Sequence, residues 1–98
     1  MEFLKKIEKI INSELSSKIQ NSLIENEELL IEINENDLVE VVQFLKSNEK
    51  CKFRQLIDIV GVDYPENEKR FELVYLLLSH EYNHRIKLLI KFEINQVI

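Results

Sequence analysis

Five apolar residues at every second position, Ile86, Leu88, Ile90, Phe92 and Ile94, alternate with Arg85, Lys87, Leu89, Lys91 and Glu93. A repeat of two marks an extended strand with one buried face and one mostly wet face. Wound as a helix, the same residues would scatter over more than half the circumference. The segment closes a longer stretch, Gln55 to Phe92, which holds the single Gly, the single Pro, both His and all three Tyr. Its middle, Arg70 to His80, is apolar at both parities, with Phe71, Leu73, Tyr75 and Leu77 on one side and Val74, Leu76 and Leu78 on the other. Such a strand is expected inside a sheet and covered by helices, with Leu76 fully enclosed. Leu56 to Tyr64 supplies a third strand, with Ile57 and Ile59 opposite Leu56, Asp58, Val60 and Val62. "DYPENEKR" interrupts it with Pro and a polar run, the chemistry of a loop or hairpin turn. The expectation is three consecutive antiparallel strands at the centre of one sheet.

Upstream, the periodicity changes. Phe3, Leu4, Ile7, Ile10 and Ile11 follow the three/four spacing of a helix face, so a helix is predicted over Phe3–Ser13. Ser22 to Ile33 reads as a hairpin, "SLIE" and "LLIEI" around "NEE", with Leu29, Ile31 and Ile33 on one face. Asn34 or Asn36 can then cap a second helix over Glu35–Ser47, whose stripe is Leu38, Val41, Val42 and Leu45, flanked by Val39 and Phe44. "SNEKCKF" ends it. The order α-β-β-α-β-β-β gives an α+β fold, two helices packed on a mainly antiparallel sheet. Ninety-eight residues make this one domain, residues 1–98.

Several function classes are excluded or weakened. A net charge of −5 without a basic cluster speaks against nucleic acid. One Gly cannot build a dinucleotide fingerprint or a P-loop. No apolar run approaches a membrane span, no signal peptide is discernible, and direct membrane insertion is not expected. Cys51, the single cysteine, reads as a packing residue in a reducing compartment. "HEYNH", His80 to His84, carries the letters of a zinc-hydrolase motif, with Glu81 beside the first His. That chemistry needs a helix, which sets positions i and i+4 on one face, whereas here the motif falls between two strands. A hairpin tip near Tyr82 and Asn83 is expected. A stand-alone metal-binding protein or hydrolase using His80, Glu81 and His84 stays as the alternative reading. A membrane-surface role for the lysine-rich N-terminal helix is a third. Asp58 and Asp63 fall on opposite strand faces, so they do not form an acid/base pair; Asp58 is expected to find Arg54 or a backbone amide, and Arg70 to pair with Asp63.

In sequence order, F-x-x-L-x-D at Phe53, Leu56 and Asp58, "VDYP" at Val62 to Pro65, "RFELVYLLLS" and "NHRIKLLI" resemble the thirty-kilodalton-type subunit, the C subunit, of proton-pumping NADH:quinone oxidoreductase (respiratory complex I). The resemblance covers nearly the whole chain and the N-terminal portion of the family, whose members continue into a W-x-E-R-E-x-x-D type segment. It implies a non-catalytic structural and assembly subunit of the hydrophilic arm, supporting electron transfer from NADH to quinone. Catalytic residues, metal and cofactors of its own are not expected. The implied partners are other hydrophilic-arm subunits, especially the quinone-site subunit. The implied location is peripheral, on the cytoplasmic side of the bacterial inner membrane or the matrix side in an organelle. Asp63, Tyr64, Pro65 and Arg70 are the candidate contact residues, because Pro65 fixes φ and Tyr64 offers an amphipathic group of the kind enriched at interfaces.

Overall fold

The structure is a computed structural model that describes residues 2–69 and 71–92. The N-terminal periodicity forms helix α1, Glu2–Glu14, and buries Leu4, Ile7 and Ile11. The hairpin follows as β1, Ile19–Glu25, and β2, Glu28–Ile33. Its turn is two residues long, tighter than expected, and both Asn26 and Glu27 take positive φ, 52° and 61°. This left-handed pair matches strand twist. Asn34 accepts the Asn36 amide at 2.9 Å and starts a short 3-10 turn, Glu35–Asp37, before helix α2, Leu38–Ser47. The predicted second helix is therefore right in extent, but its first turn is wound tighter.

Asn48 ends α2, and its side chain accepts the Lys50 amide at 2.9 Å. The connector turns back at Lys52, φ 51°, and drops Cys51 and Phe53 into the core. Burial pushes the Cys51 thiol up to about 11, consistent with a packing role. Three long strands follow: β3, Gln55–Asp63, β4, Phe71–Ser79, and β5, His84–Phe92. Ile94 and Glu93 of the alternating segment, and Arg70, lie outside the described residues.

The strand order is β1-β2-β5-β4-β3. β3–β4 and β4–β5 are antiparallel, as expected of a meander. The meander is not central, however. β5 pairs parallel with β2, Leu29 beside Ile86 and Ile31 beside Leu88, which puts β5 in the middle and β3 on the outer edge. The core lies on one side of the sheet. There Leu4, Ile7, Ile11, Val41 and Leu45 of the helices meet Leu29, Ile31, Ile33, Ile86, Leu88 and Ile90. This spends α1's apolar face inside the molecule, which overturns the membrane-surface reading. No helix among the described residues is long and apolar enough to cross a membrane.

β4 corrects a second expectation. It is interior to the sheet, but of its nine residues only Leu77 and Ser79 are buried. Leu76 faces away from the helices and is half-buried. The alternation in β3 is also broken: Leu56 pairs with Leu77 but Asp58 pairs with Leu76, so Ile57 is an extra residue in a β-bulge. Leu56 and Ile59 consequently share the helix side, while Asp58, Val60 and Val62 share the other.

Candidate functional site

Two regions hold the residues singled out by sequence. The first is the β4–β5 hairpin tip. His80 to Asn83 form the turn and His84 opens β5, so the helix required by zinc hydrolysis is not present there. Asn83 takes φ 55°, and the Tyr82 amide donates to Ser79 Oγ at 3.4 Å. His80 is hydrogen-bonded to Gln55. His84 instead stacks on Phe3, with centroids 4.4 Å apart at 11°. Glu81 accepts from Lys52 Nζ at 2.8 Å and from Arg54 at 3.4 Å. The Lys52 hydrogen bond holds the Glu81 carboxyl below its ordinary range, and Glu81 in turn raises the Lys52 ammonium. Tyr82 donates to the Glu49 carbonyl at 2.9 Å and lies 5.0 Å from Phe3. The letters that suggested a metal centre thus fasten three elements together: α1, the α2–β3 connector and the β4–β5 turn. Each His has a different neighbour and Glu81 is committed to two cations.

The second region is the half of the sheet formed by β3 and β4. On the face opposite the helices, β2 and β5 carry charges that pair across the strands, Lys87 with Glu28 at 3.4 Å and Lys91 with Glu32 at 3.9 Å. Beyond them the same face turns apolar, with Leu89 beside Val74, Val74 beside Val60, and Leu76 and Leu78 along β4. On the helix side, Leu38, Val39 and Val42 of α2 and Leu56, Tyr75 and Leu77 line an apolar cleft of about 290 Å³. Val39 is 68% exposed, and Leu56, Ile57, Ile59 and Val60 are 42–49% exposed. Large apolar groups left this open make the region a candidate surface for contact.

The predicted contact residues border this region. Asp63 closes β3 opposite Phe71, whose ring stacks on Phe92 with centroids 5.8 Å apart. Tyr64, 42% exposed, and Pro65 start the loop, and the Asn67 amide donates to the Tyr64 carbonyl at 3.0 Å. Arg70 falls outside the described residues, so its pairing with Asp63 is not assigned. Asp58 accepts the Ile59 amide at 2.8 Å, the backbone option of the two foreseen, while Arg54 goes to Glu81 and the Lys46 carbonyl. Sequence reasoning missed the exposure of β3. The signal was misleading: β3 contains no Lys, Arg or Pro, the residues that usually mark a free edge.

Comparison with known proteins agrees with the sequence resemblance. The family described as respiratory-chain NADH dehydrogenase, 30 Kd subunit, matches residues 31–98. The NADH-quinone oxidoreductase C subunit of Chelativorans sp. is 42% identical over 86 residues, 88% of this chain and 43% of that protein. The corresponding C subunit of Xanthobacter autotrophicus is 41% identical over 78 residues, 80% of this chain and 37% of that protein. The chain thus spans less than half the length of these relatives. In a solved structure of the membrane-bound sulfane sulfur reductase, an archaeal respiratory membrane complex, one chain shares the fold. The TM-score is 0.71 at 18% identity, over 93% of this chain and 50% of that one. With residues 31–98 matched and relatives above 40% identity across four fifths or more of its length, this chain belongs to the respiratory-chain NADH dehydrogenase 30 Kd subunit family, that of the C subunit of complex I.

Proposed function

We propose that the chain is a docking and assembly module in the hydrophilic arm of an NADH:quinone oxidoreductase, with no redox or catalytic chemistry of its own. The observation that carries this is the apolar surface left uncovered on β3, β4 and α2, in a chain whose family is that of a respiratory-complex subunit. The groups with committed chemistry, Glu81, His80 and His84, are used to hold the fold. In this reading the module sits peripherally on the cytoplasmic side of the membrane, or the matrix side in an organelle. Its neighbour is the quinone-site subunit, reached through Asp63, Tyr64, Pro65 and Arg70. Tyr64 and Pro65 favour such a contact because both are exposed at the end of the apolar strand.

The test is made in the full-length subunit with Tyr64→Ala and Arg70→Ala. The amount of assembled complex should fall, while turnover per assembled complex stays near that of the parent. Normal assembly with a large loss of turnover per complex would overturn the assembly reading and place these residues at the quinone site.

A further inference from the structure

We propose that the outer edge of β3 is a strand-addition site. Its occupant is an extended segment of a partner polypeptide in which apolar residues alternate with basic ones. The inference deepens the docking reading and rests on it.

The edge has the required properties. Among the described residues β3 pairs with β4 on one side and with no strand on the other. It is nine residues long, eight of them exposed. The Ile59 amide points away from β4 and donates to the Asp58 side chain at 2.8 Å, a bond that an incoming strand would replace. Amide direction alternates along a strand, so the Gly61 amide shares that outer edge. Gly61 is not demanded by internal packing: its φ is not positive, and an added methyl would meet Leu73 Cδ2 at an ordinary 3.6 Å. Its lack of a side chain leaves the backbone open to the approach of another.

The opposite edge makes the point by contrast. β1 is interrupted by a register shift at Ile19/Asn21, and Ser22 is held by Asn12 of α1 at 3.4 Å. Gln20, Asn21 and Ser22 dominate its first half. These are the devices that protect a free edge. β3 has a bulge and two carboxylates, Asp58 and the terminal Asp63, and between them presents Ile59 and Val60, with Leu56 and Ile57 before.

The register dictates the partner's pattern. A strand laid along β3 places alternate side chains on the helix side, beside Leu56 and Ile59 and next to the α2 cleft; apolar residues fit there. The intervening side chains lie on the other face beside Asp58, where a Lys or Arg is favoured. A second copy of this chain fits less well. Antiparallel pairing about Ile59 sets Asp58 opposite Val60 and brings the two Asp58 carboxylates diagonally together, with no basic residue in either strand to offset them.

The probe is a synthetic peptide matched to the nine residues of β3, alternating Val and Lys, titrated into the full chain. Saturable binding is expected, weakened about tenfold or more by peptide N-methylation on one set of alternate amides and by Ile59→Lys in the chain. A Val/Glu peptide should bind far more weakly, and Asp58→Lys should reverse that preference. Ile59→Lys is checked for folding by circular dichroism, and Asp58→Lys serves as the second variant. Four results would each overturn the proposal: binding unchanged by N-methylation in both phases, unchanged binding by both variants, no preference for Lys over Glu, or a dimer of the chain alone that Ile59→Lys dissolves. Failure of peptide binding while the Tyr64/Arg70 variant still lowers assembly removes the edge site and leaves the docking reading. Binding with no effect of that variant on assembly supports the edge and removes the loop contact.

Discussion

The two halves of the sheet are built from the same residue types and meet opposite fates. Ile31 and Leu88, in the half formed by β2 and β5, have no exposed surface, whereas Ile59 and Leu56, in β3, are each 49% exposed. Hydropathy does not separate them. Position across the sheet does. β5 is the middle strand and β3 the outer edge, so Leu56 stays 49% exposed although it pairs with Leu77, which is only 4% exposed. The opposite face divides similarly, charged and ion-paired over β2–β5, apolar over β4–β3. One half of the molecule is thus finished as a folded core, and the other keeps large apolar side chains exposed.

The sharpest way to break this comparison uses neighbours on β4. Leu77→Asp buries an unpaired charge at several kcal/mol, against a total stability of roughly 5–15, and should unfold the chain. Leu76→Asp, on the bare face, should leave a cooperative thermal melt. Equal loss of both melts would show that the bare face is covered.

A gentler version compares truncations by urea denaturation. Leu88→Ala is expected to cost about 2–5 kcal/mol. Ile59→Ala, half out of the protein, should cost under about 1 kcal/mol. Similar losses at the two sites would mean that β3 is packed against something in solution.

The smallest effect concerns the hairpin fastening. Glu81 titrates below its unfolded value, so its contribution to stability is present above the ordinary Glu range of about 4.3 and disappears as pH falls through the lowered value. Lys52 titrates above its unfolded value; its contribution holds below about 10.4 and is lost as pH rises through the raised one. Glu81→Gln should therefore lower Tm slightly at neutral pH, less so in high salt, and progressively less as pH falls through the lowered Glu81 value. A pH-independent drop would mean that shape, rather than charge, is what Glu81 contributes.

Element types were legible because each rests on local spacing. The three/four pattern from Phe3 to Ile11 and the alternation from Ile86 to Phe92 report which side of a segment is dry, whatever it packs against. The HEYNH turn was readable for the same reason, since strands flank it on both sides. Of the surface proposed for contact, sequence reading singled out only the margin, Tyr64 and Pro65. The bulge at Ile57, which moves Ile59 onto the side of Leu56, leaves no trace in an apolar run.

By itself, then, the sequence determined two amphipathic helices, the β1–β2 hairpin and three long antiparallel strands, together with the absence of phosphate-binding glycine loops. Only the tertiary structure decided that β2 and β5 join in parallel, and that choice places β5 at the centre and β3 at the edge. The physical reason is range. Periodicity and turn chemistry act over a few residues, whereas strand order is set by contacts between segments more than fifty residues apart, such as Ile31 beside Leu88, whose pairing no local pattern encodes.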